Sequence, residues 1–454
     1  MAGVITRELR REMAKELYND IDDSANTRYY IAVGKSETWN DSDIAATAYS
    51  TEREERNFRA GMQSIKLVTD YSFVVPRYNW TTGRVYLPYN DNLDGTGTTP
   101  YYVVTDENQV YVCLKQAKNS LGVAQVSTIK PTGTDLTPKV TSDGYVWKFL
   151  YSIPTATANA FLSSSWMPVK FVDSAGVGDP IADIEQYGIQ NAAIAGSINN
   201  ITLISGGTGY TSAPTVTIIG DGDSAQGRAT ISGGSVVKVE IVDSGDNFLS
   251  GRNYSRASVS FSGGGGTGAS ARPNLSPKLG FGADPRDDLR ARSIMFDIKP
   301  SGDEAGEWLI GNDFRQIGLI KNILLWDSAE RYTGTTLNML KGLKLQGGGA
   351  ATSSFTVGAT VTGLVSTAAG IIDKLDSDII YYHQNEATGF GQWIAGEAIE
   401  DDATGAGTLV TSTTDYILEP VADPFTGKLL YIENRAAVVR ASNQTEDIKI
   451  VLQM

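Results

Sequence analysis

Histidine and cysteine occur once each, at positions 383 and 113. A lone cysteine excludes an internal disulfide. Cys113 sits in the strand-like run Val110-Tyr111-Val112-Cys113-Leu114 and reads as a buried, inert thiol. A lone histidine removes every mechanism that needs two, most zinc sites included. His383, in Tyr381-Tyr382-His383-Gln384-Asn385, is therefore expected to be exposed or hydrogen-bonded. No apolar run approaches the roughly 20 residues of a spanning helix, so no membrane partner is expected. The first twenty residues carry charge throughout, unlike a signal peptide, and the chain is expected to be assembled in the cytoplasm. Basic residues are in deficit, 38 against 52 acidic, for a net charge of −14. Duplex-binding proteins cluster Lys and Arg to displace counterions. No such cluster stands out, and nucleic acid is not an expected partner.

Glycine is in excess, with 48 residues concentrated between 205 and 270 and between 346 and 410. With Thr, Ser and Val around them, these stretches predict β modules with tight turns. A chain of 454 residues suggests roughly three domains.

Leu9, Met13, Leu17 and Ile21 recur at i+4 and predict a helix over 4–22. A strand is expected over 28–33, running into a turn anchored by Trp39. A second helix is expected over 51–66, and a strand over 70–75 stopped by Pro76. A hairpin is expected over 101–114, and 145–153 reads as a central strand after the turn Asp143-Gly144. Residues 313–320 read as a strand. Near the end, Leu429–Ile432 reads as a strand, Asn434 as a turn, and Ile448, Ile450 and Leu452 alternate with more polar neighbours. That period of two marks a half-buried strand. Chain ends are usually frayed unless a sheet holds them, so the segment is expected to complete a core built from distant strands.

Residues 185–275 contain two copies of one pattern. Ile201–Tyr210 matches Val239–Phe248 at an offset of 38 positions, and each copy continues into a second strand, Thr215–Ile218 and Ser258–Phe261. This predicts a duplicated, inserted β module. Residues 350–412 form a second Gly-rich module. The remainder, 1–184 with 276–349 and 413–454, reads as a discontinuous core. The expected class is mainly β (α+β), a multidomain β-sandwich protein with an N-terminal helix.

Motifs that carry chemistry are weak. Gly263–Gly268 satisfies GxGxxG, but Pro273 and Pro277 follow closely, so no helix is expected to cradle a pyrophosphate. Asn90–Gly95 imitates the start of a calcium loop, yet the twelfth position is Tyr101 and not Glu. Gly220-Asp221-Gly222-Asp223 reads as a turn. No catalytic, cofactor-binding or metal-ligating residue is nominated.

Five blocks in order resemble the gene-8-type baseplate wedge subunit of T-even-type contractile-tailed phages. They are Tyr30–Trp39, Val74–Trp80, Asp143–Pro154, Phe314–Asn322 and Gly427–Met454. The resemblance implies a non-enzymatic, homodimeric structural protein of the virion tail baseplate. Implied partners are other wedge proteins and short-tail-fibre attachment components. It also implies sandwich domains, one completed by both chain ends. The two Gly-rich modules depart from the family pattern. Within the blocks, Gly34 and Gly144 permit turns. Trp39, Trp80 and Trp147 are candidate anchors of a core or a subunit contact. Arg77, Arg315 and Arg435 are candidates to pair with carboxylates such as Glu37 or Glu433.

Two other readings compete. A carbohydrate-binding adhesin would present Tyr210, Tyr254 and Trp393 as platforms on the Gly-rich modules. A secreted hydrolase would need a perturbed acid or nucleophile in a cleft, and no motif supplies one.

Overall fold

Strands dominate the architecture, which is mainly β with several antiparallel sheets and a helix near the N-terminus. The computed structural model describes residues 5–93, 99–242 and 250–454. Val4 of the expected first helix, Asp94 and Gly95 of the calcium-like loop, and Phe248 of the repeat lie outside the described residues. The chain divides into two units. One comprises Met1–Tyr18, Ser72–Met295 and Val451–Met454, and the other Asn19–Tyr71 and Phe296–Ile450.

In the first unit, the helix Arg7–Asp22 contributes its first turns; Tyr18 stacks on Phe73 at 4.9 Å. The expected apolar stripe is only partly buried, for Leu9 and Met13 stay exposed. The hairpin Tyr102–Val104 and Gln109–Lys115 pairs onto Val146–Ser152, which is interior to its sheet and buried along all but its last residue. Trp147 is 1% exposed and stacks on Tyr145 at 5.8 Å, with Tyr86 edge-on at 5.4 Å. Asp143-Gly144 turns the chain into this strand, Gly144 at φ +88°. Cys113 is buried in the same cluster, and burial pushes its thiol pKa well up.

A four-stranded sheet runs in the order Ile448–Gln453, Ser293–Ile298, Asp70–Pro76, Trp166–Val169. The C-terminal strand is thus paired, and the period-two pattern has its physical counterpart: Ile448 and Ile450 are buried. Val451 packs on Val74, Phe161 and Met295, and the Met454 N–H donates to the Arg292 carbonyl. The first unit therefore takes material from both ends of the chain.

The first Gly-rich stretch folds as two sheets over one hydrophobic cluster. Ile198–Thr208 pairs with Thr267–Leu275, and four strands run in the order Ser235–Ile241, Gly227–Ser232, Thr215–Gly220, Ala257–Ser262. The middle pair registers Thr215 on Ser262 and Gly220 on Ala257. Around it the two copies exchange anchors. Tyr210 lies against Gly264 and Gly266, where a Cβ on Gly266 would stand 2.4 Å from the Tyr210 Cγ. Tyr254 lies likewise against Gly220 and Gly222, where a Cβ on Gly222 would stand 2.5 Å from the Tyr254 Cγ. Tyrosine to tyrosine and glycine to glycine, the offset is 44 positions. Tyr254 therefore takes the place that the 38-residue alignment assigned to Phe248.

The second unit holds a five-stranded sheet in the order Thr336–Asn338, Met62–Leu67, Tyr29–Gly34, Asp313–Lys321, Lys428–Val439. The expected helix over 51–66 is half strand. Thr51 caps Glu52–Ala60 by accepting the Glu54 N–H, the helix ends at Gly61, and Met62–Leu67 joins the sheet. Helix propensity in the second half yields to a strand slot beside Tyr29–Gly34. Phe58 is fully buried over Gly318, where a Cβ would stand 2.4 Å from its ring. Asn434 is not a turn. Lys428–Val439 is one strand with an irregular register between Phe314 and Gln316, and Asn434 pairs with Gln316 through both backbone register and side chain.

The second Gly-rich stretch lies within a seven-stranded sheet that also includes Lys341–Lys344 and Ile417–Leu418, so this sheet reaches beyond 350–412 at both ends. Trp393 is 3% exposed in its core, edge-on to Tyr382 at 5.6 Å.

Candidate functional site

Gly34 to Asp43 forms a junction in the second unit. Gly34 closes its strand where the backbone passes Gly61; a Cβ would stand 2.4 Å from the Gly61 carbonyl oxygen. Close approach, more than a turn, explains this glycine. The next residue, Lys35, is left-handed at φ +62°, and Asp43 at φ +47°. Non-glycine residues seldom adopt this region unless their surroundings hold them there.

The surroundings do so through a chain of polar contacts. The Ser36 hydroxyl donates to Asp373 Oδ1 at 2.6 Å, and Gln63 Nε2 donates to the same oxygen at 3.2 Å. Asp373 Oδ2 lies 2.5 Å from His383 Nδ1. On the other side of the ring, His383 Nε2 stands 3.3 Å from Glu37 Oε2, an ion-pair contact without hydrogen-bond alignment. Lys35 Nζ donates to Glu37 Oε1 at 2.7 Å and lies over the Trp39 ring at 4.6 Å. The single histidine is thus buried between two carboxylates.

Burial works against charging the ring, yet the field of Asp373, its hydrogen bond and the Glu37 contact outweigh it and raise the His383 pKa to about 10. Burial works against Glu37 ionisation as well, but His383 and Lys35 bring its pKa down to about 2. At neutral pH His383 is therefore an imidazolium and Glu37 a carboxylate, with Asp373 and Lys35 as their partners in the cluster. Both ring nitrogens face acids. The arrangement can hold charge and fix the chain around it, and neither nitrogen presents a free lone pair as a base. Among the described residues no group of His, Cys, Asp and Glu has the arrangement of a metal site. A cavity of about 310 Å3 lies against the cluster, lined by Lys35, Glu37, Trp39, Glu54, Gln316 and Asn385 among others.

Arg315 joins the same junction. Its Nε donates to Asp43 Oδ1 at 2.7 Å and its Nη2 to Asp43 Oδ2 at 2.8 Å, a two-pronged pair. Nη2 also reaches Asp313, and Nη1 donates to the Ser36 carbonyl at 2.5 Å. Trp39 is half-buried and its Nε1 donates to the Arg435 carbonyl at 2.9 Å. The Arg435 side chain makes no ion pair among the described residues.

The carboxylates expected for the arginines are engaged elsewhere. Glu37 holds Lys35 and His383, while Glu433 accepts from the Tyr431 hydroxyl. Arg77, in the first unit, donates to the Asn79 side chain and the Ser163 carbonyl. Trp80 packs on the Trp147 cluster, its Nε1 donating to Ser127 at 3.3 Å. Sequence alone did not bring Ser36, Asp43, Asp373 and His383 together. The signal present was the polar content of the 34–43 block, whose partners lie over 270 positions downstream.

The other motifs resolve as architecture. A strand, Thr267–Leu275, follows the GxGxxG glycines where a dinucleotide site needs a helix. Asp91 of the calcium-like loop pairs with Arg272 at 2.5 Å. Asp221 accepts from the Ser255 hydroxyl and from the Ser255 and Arg256 N–H groups, bonds that lower its pKa. Tyr210, Tyr254 and Trp393 are core residues, 6%, 6% and 3% exposed, and offer no platform to a sugar. Neither a family model nor a curated protein matches this chain.

Proposed function

We propose that this chain is a structural subunit of the baseplate wedge of a contractile phage tail, acting as a homodimer through protein–protein interfaces. One observation carries the reading. Blocks that resemble the wedge family, far apart in sequence, meet in space within each unit. Tyr29–Gly34, Asp313–Lys321 and Lys428–Val439 come from three of these blocks and are neighbouring strands of one sheet. Trp39 of the first block donates to Arg435 of the last. Trp80 and Trp147, from the other two blocks, share a core in the first unit. A resemblance scattered by chance would not be expected to gather in this way.

The proposed role is mechanical. The charge-locked junction Glu37–His383–Asp373 braces the second unit, while surfaces toward neighbouring wedge proteins and fibre-attachment components hold or exchange contacts as the tail contracts. Sedimentation at micromolar concentration should give a dimer, and a micrograph-based map of the intact particle should place the chain in the baseplate wedge. A monomer at all concentrations, together with a particle map lacking the chain, would refute the reading.

A further inference from the structure

In the first unit of this acidic chain a cavity is lined chiefly by cations. It measures about 180 Å3 and gathers six basic side chains against two carboxylates, Glu8 and Asp287. Two of the cations are already matched: Arg11 pairs with Asp287, and Arg286 forks onto Asp284 with Nη2 at 2.9 Å. The other four, Arg7, Lys278, Arg290 and Arg292, have no carboxylate partner among the described residues. Among the described residues, Arg7 donates to the carbonyls of Leu93 and Asp91, at 3.2 and 3.1 Å.

Arg290 shows that the cavity is built and not incidental. It is left-handed, at φ +56°, a costly conformation for a side chain of this size. Its guanidinium lies 4.9 Å from the Tyr89 ring centre and 5.0 Å from that of Tyr101, and Nη2 donates to the Asn90 carbonyl at 2.6 Å. Its Nε is shut off from solvent and, among the described residues, has no acceptor in good hydrogen-bond geometry, the Tyr89 hydroxyl being the nearby polar group. A buried unmatched donor is costly unless an acceptor reaches it.

We propose that this cavity binds the acidic side chains of a short Asp/Glu-rich segment of a partner protein. The guanidinium of Arg292 suits a planar carboxylate gripped by paired hydrogen bonds, and the N–H groups of Arg7 and Arg290 not spent on backbone carbonyls can add single bonds to it. The cavity volume suits one or two side-chain carboxylates. Glu8 and Asp287 in the wall oppose a phosphate dianion more than a single carboxylate. This inference does not depend on the tail assembly proposed above.

The test is fluorescence anisotropy with a labelled, end-blocked hexaglutamate peptide and the full chain at low ionic strength. The wild type should bind, and added salt should weaken binding. Lys278→Glu with Arg292→Glu should weaken it by about tenfold or more. Lys278→Glu alone should act in the same direction. Lys278→Glu alone should leave the thermal unfolding midpoint unchanged, because this exposed side chain has no carboxylate partner among the described residues. Arg56→Glu with Lys428→Glu, which reverses as much charge in the other unit, should leave peptide binding unchanged. No binding by the wild type, or equal losses in both double variants, would overturn the proposal. Displacement by inorganic phosphate at equal concentration would also overturn it and mark a small-anion site.

Discussion

His383 Nδ1 stands 2.5 Å from Asp373 Oδ2, and both side chains are closed to solvent. The folded pKa of about 10 lies above the ordinary value of 6.5, so the folded state binds this proton more tightly than the unfolded chain. The resulting stability is fully present below pH 6.5 and is lost as pH rises through about 10. The urea midpoint of the wild type should therefore fall along the alkaline limb. His383→Gln strands the buried carboxylates and should cost about 3–5 kcal/mol at neutral pH, with most of that alkaline dependence gone. Parallel midpoint–pH curves for the two proteins would contradict this account.

Glu37 governs the acid limb with the opposite sign. Its folded pKa of about 2 lies below the ordinary 4.5. Its contribution is present above pH 4.5 and disappears as pH falls toward 2. Glu37→Gln should be clearly less stable than wild type at neutral pH and nearly level with it at the acid end. Urea titrations at both ends compare the two directly; a constant difference across the range would assign the loss to packing alone.

Trp147 is buried among Tyr86, Tyr145 and Phe149, but its indole N–H finds no acceptor among the described residues. Its value is therefore volume and ring contact. Trp147→Ala should cost about 3–5 kcal/mol. Trp147→Phe removes the unmatched donor as well as part of the ring and should cost markedly less. Chemical denaturation of both variants gives the comparison, and equal losses would mean that the N–H is satisfied in solution.

Gly222 and Gly266 occupy equivalent places beneath Tyr254 and Tyr210. Each alanine variant should push a buried ring and cost about 1–3 kcal/mol. The two losses should be similar, because the two sites are copies. Thermal unfolding of the single variants tests the equivalence. A large loss at one site and none at the other would show that the copies are unlike in energy.

How far the sequence reveals this molecule depends on the range of the interactions involved. The strand periodicity near the end, the hairpin expected over 101–114 and the apolar run over 145–153 are local patterns, and they appear within a residue of the expected bounds, as Ile448–Gln453, 102–115 and Val146–Ser152. Met62–Leu67 departs from the expected helix because its helical composition is overruled by the neighbouring strand Tyr29–Gly34. Asn434 was misread because a strand irregularity and a turn use similar residues. The junction was the least legible part. Ser36, Asp43, Asp373 and His383 are ordinary polar residues in sequence, and their meaning comes from contacts across hundreds of positions. His383 was expected to be exposed or hydrogen-bonded; a doubly flanked, charged core imidazole has no signature in a single sequence.

The Tyr29–Gly34 strand also sets a timetable. Its neighbour Asp313–Lys321 leaves the ribosome some 280 residues later, on the order of tens of seconds at ordinary elongation speeds. Lys428–Val439 comes later still. Until then, the nascent second unit carries an apolar strand without its partner on one side, a state prone to wrong pairing. Its folding must therefore wait until both of those later strands have been made, and cells making it in quantity would need to shield that early segment from its newborn siblings.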